Sequence, residues 1–467
     1  MLGKTRRVHF VGIGGIGMSG IAELLANLGY TVTGSDAKTS EITERLTSRF
    51  GIVVHEGHAA SNVGDADVVV VTSAVKPTNP EVIEAHRLKV PVIPRAEMLA
   101  ELMRLRFSIA VAGAHGKTTT TSMIAVVLEQ AGLDPTAVIG GRLSAFGSNA
   151  RLGSGEYMVA EADESDRSFL TLWPAIAVIT NIDHEHMESY GSFADLQQAF
   201  VDFANKVPFY GSVVACADDE HLEAVLPKVK RRLVTYGLDN PAAEIAGTGV
   251  ELGSFGSRCV VVRRRDGGTE RLGELHMPVP GRHNLLNALA AVAVADLVGV
   301  EFAKIGSALE HFQGAERRFQ RHGQPGGVLV VDDYGHHPTE IAAVLSAARS
   351  ALGGRLIVAF QPHRYSRTQQ LMGDFGPSLR EADEIVLTDI YAASEEPIPG
   401  ITVEALADAI REGSRRPVHV VKALEDVVPA VLELARPDDV VITLGAGTIG
   451  GVAKGLVEAL QRREGRG

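Results

Sequence analysis

Two glycine-bearing turns, each set between an apolar strand and a helix, carry the first chemical signal in this sequence. Gly12-Ile13-Gly14-Gly15-Ile16-Gly17 follows Val8-His9-Phe10-Val11 and reads G-x-G-x-x-G, with Asp36 at the end of the next strand. Glycine lets a backbone approach a diphosphate closely, and the free N–H groups of the following helix favour its negative charge. Those forces do not choose the nucleotide, so NAD and a UDP-sugar are equal candidates on this turn alone. Gly113-Ala114-His115-Gly116-Lys117-Thr118-Thr119-Thr120 is a second such turn. It is shorter than the usual P-loop, whose first glycine would fall at Val111, yet its parts keep their roles. Backbone N–H groups cradle phosphate, Lys117 reaches the outer phosphates and the Thr118 hydroxyl ligates Mg²⁺. ATP is the expected ligand. Two phosphate-binding turns in consecutive domains suggest a chain that brings a nucleotide-linked substrate to ATP for transfer or ligation.

Oxygen ligands for a hard cation crowd the end of a later strand as Glu161, Asp163, Glu164 and Asp166, with Glu161 and Asp163 foremost because they end the strand. The segment Asn181-Ile182-Asp183-His184-Glu185-His186 offers an H-x-H spacing, but no third soft ligand lies nearby, so zinc is not expected. Further polar clusters are Gly281-Arg282-His283-Asn284-Leu285-Leu286-Asn287, Arg317-Arg318-Phe319, Asp332-Asp333-Tyr334-Gly335-His336-His337-Pro338 and Gln361-Pro362-His363-Arg364-Tyr365-Ser366-Arg367. All lie where a strand or loop meets a helix, the edge at which α/β sheets hold ligands, although a single arginine there is as readily a surface ion pair.

The elements that must position these groups read as α/β throughout. Short Val/Ile-rich runs alternate with stretches of helical period, the pattern of parallel sheets crossed by helices. Strands are expected at Val8 to Val11, Thr31 to Thr33, Ile52 to His55, Val68 to Thr72 and Val92 to Ile93, forming a Rossmann-like parallel sheet. A helical stretch from Arg95 to Arg106 leads to a strand at Phe107 to Ala112, which opens a central P-loop ATPase-like domain with strands at Tyr157 to Ala160 and Ala175 to Thr180. This domain also carries a β-rich insert between Ile245 and Arg263 and a helix at Asn284 to Leu297. The pattern restarts at Val328 to Val331 and continues through a helix at Pro338 to Leu352 and strands at Leu356 to Phe360, Ile385 to Thr388, Val418 to Val421 and Val440 to Leu444. This is a second Rossmann-like α/β domain. The expected division is therefore 1–107, 108–322 and 323–467, which agrees with about 150 residues per domain for a chain of 467.

Composition narrows the function classes. With 45 Lys and Arg against 57 Asp and Glu, the net charge is -12, and no long basic run follows a nucleic-acid backbone, so no nucleic-acid partner is expected. No run of about 18 apolar residues occurs, and glycines interrupt the apolar stretch after the basic N-terminus, so neither a membrane partner nor a signal peptide is expected. Cys216 and Cys259 are too few for a disulfide scaffold and read as reduced thiols of a cytoplasmic protein.

Taken in order, Gly12-Ile13-Gly14-Gly15-Ile16-Gly17-Met18-Ser19-Gly20, Ala112 to Thr120, Glu161-Ala162-Asp163-Glu164-Ser165-Asp166, Arg317-Arg318-Phe319 and Asp332 to Glu340 closely resemble the Mur ligases. The match spans all three expected domains. Within that family, Phe360 to Thr368 is similar to the member that adds the first amino acid. The resemblance implies an ATP-dependent amide bond between the lactyl carboxylate of UDP-N-acetylmuramate and L-alanine, through an acyl phosphate, in peptidoglycan synthesis. It also implies that the first turn holds the UDP-sugar, with Gly14, Gly15, Ile16, Gly17 and Met18 at the diphosphate and Asp36, Ser73 and Arg95 as further contacts. By the same implication Gly113 to Thr119 bind ATP, while Thr118, Glu161 and His186 serve Mg²⁺, for which Mn²⁺ would substitute well because histidine is an unusual ligand for so hard an ion. Asn284 and Asn287 would meet adenine, Asp333 the ribose and Arg318 the phosphates. His336, His363, Arg364 and Arg367 would line the third-domain side, with His336 and His363 at the substrate. Lys117, His186, Arg318, His336, Arg364 and Arg367 are the expected catalytic set.

The sequence departs from later Mur ligases, which use a carbamylated lysine near the metals, because no lysine occurs between Glu161 and His186. No carbamate is expected. Since an acyl phosphate hydrolyses in water, the third domain is expected to close before chemistry about a hinge near Gly323 to Gly327. A ligase that reattaches a recycled tripeptide shares the two turns. An NAD-dependent dehydrogenase explains only the first turn and leaves Lys117 and Thr118 idle. A non-catalytic nucleotide-binding regulator leaves the His and Arg clusters of the third domain idle. Monomer and homodimer are both compatible with the sequence.

Overall fold

The computed structural model describes residues 3–72, 74–143, 148–253, 256–265, 267–312, 314, 316–393 and 395–464. Ser73, expected at the UDP-sugar, lies outside them.

Three sheets carry the fold. The first has the order Val53–Glu56, Thr31–Asp36, Arg7–Val11, Val68–Val71, Val92–Pro94, with every pair parallel. Arg7–Val11 and Val68–Val71 are nearly continuous buried runs, the pattern of parallel strands with no solvated side to alternate toward. The order reverses beside Arg7–Val11, so the turn from Gly12 to Gly15 opens at the crevice between neighbouring strand ends. Helix Ile16–Asn27 follows that turn directly.

The second sheet has ten strands in the order Gly268–Met277, Gly256–Arg265, Ile245–Gly253, Leu233–Gly237, Ser212–Cys216, Ile176–Ile179, Phe107–Ala112, Tyr157–Glu161, Thr136–Leu143, Ser148–Arg151. Four of these, Thr136–Leu143, Ser148–Arg151, Ser212–Cys216 and Leu233–Gly237, are not anticipated from the sequence pattern, and the β-rich insert runs on to Met277 rather than ending at Arg263. Thr136–Leu143 carries Gly140 and Gly141, which weaken a strand pattern. At Gly140 the backbone N–H is taken by Glu161 Oε1 at 2.7 Å, and a Cβ there would push that carboxylate aside.

The third sheet runs Gln320–Gly323, Leu329–Asp333, Val440–Leu444, Leu356–Phe360, Glu384–Leu387, Val418–Val420, and is parallel except for its first pair. Gln320–Gly323 begins just ahead of the expected boundary at 323. Alternate residues of the central strands feed two separate cores. Leu329, Val331, Val358, Phe360, Ile442 and Leu444 face one side, and Val330, Ile357, Ala359 and Val441 the other. The helical stretch expected from Arg95 to Arg106 is shorter, Arg95–Met103, and Asn284 to Leu297 begins two residues earlier, as Arg282–Leu297.

By compactness the chain forms two units. One comprises 1–250, 259–275 and 286–313, and the other 251–258, 276–285 and 314–467.

Candidate functional site

In the first unit, the Gly14 N–H donates to Asp36 Oδ2 at 2.8 Å. A Cβ at Gly14 would lie 2.8 Å from the same oxygen, so any side chain there would push the Asp36 carboxylate aside. Asp36 thus braces the turn as well as standing beside it. A cavity of 300 Å³ opens next to Asp36, lined by Lys38, Thr39, Thr43, His55 and Glu56 among others, a volume suited to a small ligand. Gly17 packs under Arg95, whose guanidinium would meet a Cβ at 3.1 Å, and Arg95 reaches Asp163 Oδ2 at 3.4 Å. Ile16 is exposed, but the Met18 side chain is buried in the core and its N–H is bonded to Gly15 O at 3.0 Å. Met18 therefore does not present itself as the expected diphosphate contact, because the helix has already taken its polar group.

The second turn is held from below by the strand end at Thr180 and Asn181. Gly113 has φ +136°, and a Cβ there would lie 2.0 Å from Thr180 Oγ1. Thr180 Oγ1 donates to His115 O at 2.6 Å. The N–H groups of Ala114 and His115 bond to Asn181 O at 3.2 Å and Asn181 Oδ1 at 2.8 Å. These two amides shape the loop instead of pointing toward a phosphate, which shifts the expected cradle toward Gly116 and the first turn of helix Lys117–Gln130. Thr118 is half-buried and Thr119 buried on that helix. His115 Nε2 pairs with Asp183 Oδ2 at 2.8 Å. Asn287 Oδ1 accepts from Thr120 Oγ1 at 3.2 Å, so this residue, expected at adenine, also braces the P-loop helix. Asn284 donates to Pro280 O at 2.7 Å within the second unit.

Lys117 Nζ donates to Gly113 O at 2.5 Å, Ala114 O at 3.1 Å and Glu164 Oε1 at 2.7 Å. Burial alone would lower its pKa, but the charge and hydrogen bond of Glu164, together with the charges of Glu185 and Asp163, outweigh burial and hold the ammonium above its ordinary value. Glu164 is held above the usual carboxylate range by burial, against the pull of Lys117. Its second oxygen is buried and has no hydrogen-bond partner. Ligand atoms of Glu164, Glu185 and His186 lie within 4.8 Å of one another. An orphaned carboxylate oxygen beside a second carboxylate and an imidazole fits a divalent cation. Glu161 is instead engaged with the Gly140 N–H, so among the described residues this three-ligand group retains the expected His186 and adds Glu164 and Glu185. Sequence position alone favours Glu161 because it ends the strand. The turn that follows carries Glu164 back over Lys117.

In the second unit the expected residues gather at the C-terminal edge of the third sheet. Arg317 donates to Asp332 Oδ2 at 2.8 Å and to Gly445 O at 2.5 Å, and has φ +58°. Asp333 accepts the Phe319 N–H and the Gly335 N–H, each at 2.7 Å. The adjacent acids therefore pin both ends of Arg317-Arg318-Phe319, a role for Arg317 that sequence reading missed. Burial raises Asp333 to about 6, and with both oxygens committed to backbone it stands as a turn holder as well as the expected ribose contact. Arg318 lies over Tyr334 at 5.3 Å and reaches Glu340 at 3.5 Å. His336 Nδ1 lies 3.2 Å from Tyr334 O, and its ring is 5.5 Å from His363. Arg367 donates to His363 Nδ1 at 3.3 Å. Burial, then His336 and the two arginines, push His363 down to about 3, so it is neutral near pH 7. Burial and Arg318 lower His283 to about 4.

Three family models match the chain. They are described as Mur ligase family, catalytic domain, over residues 7–107, Mur ligase middle domain over 111–295, and Mur ligase, glutamate ligase domain over 317–447. A relative from Syntrophus aciditrophicus, named UDP-N-acetylmuramate--L-alanine ligase, is 53% identical over 461 residues, covering 99% of this chain and 95% of the relative. One of the same name from Syntrophotalea carbinolica is 53% identical over 464 residues, covering 99% and 100%. The crystal structure of UDP-N-acetylmuramate-alanine ligase from Thermotoga maritima superposes with a TM-score of 0.83 at 31% identity, covering 98% of this chain and 99% of that one. A murein peptide ligase from Psychrobacter arcticus superposes at 0.71 with 27% identity, covering 97% and 98%.

Proposed function

The chain belongs to the Mur ligase family, and from that premise we propose that it joins L-alanine to the lactyl carboxylate of UDP-N-acetylmuramate. The products are UDP-N-acetylmuramoyl-L-alanine, ADP and phosphate, in cytoplasmic peptidoglycan synthesis. The observation that carries this reading is the 53% identity, along nearly the whole chain, to relatives named for that reaction.

We assign residues 1–107 to the UDP-sugar, 108–322 to ATP and 323–467 to the amino acid and to closure over ATP. At the first turn, Gly14 to Gly17 let the diphosphate approach, with Asp36 and Arg95 beside it. A carboxylate and ATP are both anions, so Lys117 and Arg318 neutralise charge as the carboxylate oxygen attacks the γ-phosphorus and ADP leaves. Glu164, Glu185 and His186, with Thr118, would hold Mg²⁺ or Mn²⁺, which when bound screens the phosphate charge. Glu161 keeps its place as a candidate in that shell. The amine of alanine then forms a bond to the carbonyl carbon of the acyl phosphate, and phosphate departs once the amine has lost a proton. Arg364 and Arg367 supply the cations that an α-carboxylate needs, and neutral His363 with His336 lies beside them without adding charge.

Phosphate release tests this, using purified protein with ATP, Mg²⁺ and UDP-N-acetylmuramate, each amino acid added separately. Release is expected only with both the sugar nucleotide and L-alanine, and is expected to vanish in Lys117→Ala. Turnover with a peptide alone would replace this reading by the recycling ligase, for which the likeness to the murein peptide ligase is the supporting observation.

A further inference from the structure

The backbone of Arg364 has φ +71° and ψ 140°, a combination that residues with a Cβ rarely enter and that persists only where the surroundings over-determine it. Its N–H donates to Tyr391 O at 2.8 Å, and its carbonyl accepts the Thr368 N–H at 3.2 Å and Thr368 Oγ1 at 2.8 Å. Two residues on, the Ser366 N–H donates to Glu395 Oε2 at 3.0 Å and Ser366 Oγ to Glu395 Oε1 at 2.6 Å. The same Glu395 oxygen lies 3.9 Å from the Arg364 guanidinium. On the other side, His363 stacks on Tyr391 with ring centroids 5.5 Å apart and accepts from Arg367. Glu395 therefore binds, with both oxygens, the single turn of chain that launches Arg364 and Arg367.

We propose that Glu395 is a positioning residue for the amino-acid subsite, setting the directions in which Arg364 and Arg367 present their guanidinium groups to an α-carboxylate. This rests on the alanine-ligase reading above. A carboxylate suits the task because it offers two acceptors to two donors. Glutamine keeps one acceptor and turns an NH₂ toward a donor. Aspartate keeps both but is shorter by one methylene.

Steady-state kinetics on the full-length enzyme, varying each of the three substrates in turn, test this. In Glu395→Ala and Glu395→Gln the KM for L-alanine is expected to rise about tenfold or more, the usual scale for losing a hydrogen bond to a charged group. The KM values for ATP and UDP-N-acetylmuramate are expected to stay within about twofold. Glu395→Asp is expected to recover part of the loss, and Ser366→Ala, which removes one of the two bonds, to show a smaller rise in the same KM. An alanine KM unchanged in both Glu395→Ala and Glu395→Gln would overturn the assignment. So would a parallel rise in all three KM values with a fall in melting temperature, the mark of a merely structural role. Failure of the wild type to use L-alanine at all would be distinguishable, because it overturns the alanine reading first and this assignment with it.

Discussion

Lys117 and Glu164, 47 positions apart, meet at 2.7 Å with the glutamate almost wholly buried. A buried pair of this kind adds little net stability compared with an apolar pair, yet removing either partner strands the other's charge in the interior. The P-loop lysine is thus held in place by an acid from the neighbouring strand's loop.

Lys117→Ala and Glu164→Ala are each expected to destabilise the protein by about 3 kcal/mol or more, and the double variant by less than the sum of the two. Denaturant unfolding of the four proteins of this cycle checks the coupling. Lys117→Ala is also expected to lower turnover by at least about a hundredfold, since it removes charge stabilisation where phosphoryl transfer develops it.

The group Glu164, Glu185 and His186 is expected to bind Mn²⁺ as well as Mg²⁺. His186→Ala should weaken Mn²⁺ binding about tenfold or more, read by titration calorimetry without turnover. Equal affinity in wild type and variant would remove His186 from the metal shell.

Gly113→Ala places a Cβ 2.0 Å from Thr180 Oγ1 at a backbone φ of +136°. Strain and overlap together should cost about 3 kcal/mol. Reduced thermal stability accompanied by loss of ATP binding is the expected result. Thr180→Ala in the same chain should recover part of the stability.

Glu81, fully buried in the first unit, accepts from Ser35 at 2.6 Å and Asn62 at 2.6 Å, and lies 3.8 Å from His9 and 3.3 Å from His58. Burial would raise its pKa, but His9, Ser35 and Asn62 together outweigh burial and lower it from 4.5 to about 2. The folded carboxylate releases its proton more readily than the unfolded one, so its contribution is complete above about pH 4.5 and is lost as pH falls toward 2. That contribution is about 3 kcal/mol. Unfolding of wild type and Glu81→Gln across pH 2 to 7 should show a stability difference that shrinks steadily below pH 4.5. A constant difference would mean that Glu81 is not the titrating group.

The parallel sheets were legible because buried strands leave continuous Val/Ile runs, as at Val68–Val71. The strands that escaped were of two kinds. Thr136–Leu143 is interrupted by Gly140 and Gly141. Ser148–Arg151, Ser212–Cys216 and Leu233–Gly237 are strands of four or five residues, short enough that periodicity cannot separate them from other short runs.

By itself the sequence determined the α/β class, the two glycine turns and the clusters that mark each strand-to-helix junction, because these rest on local requirements: a Cβ-free backbone, a strand before it and a helix after it. Which side chains meet was decided only by the tertiary structure. Glu164 rather than Glu161 reaches Lys117, Arg317 pairs with Asp332 to set the turn that bears Arg318, and Glu395 closes on Ser366. Each of these contacts joins segments distant in the chain, and their partners depend on strand order and on the direction in which a loop returns over its sheet. No spacing along the sequence encodes that direction.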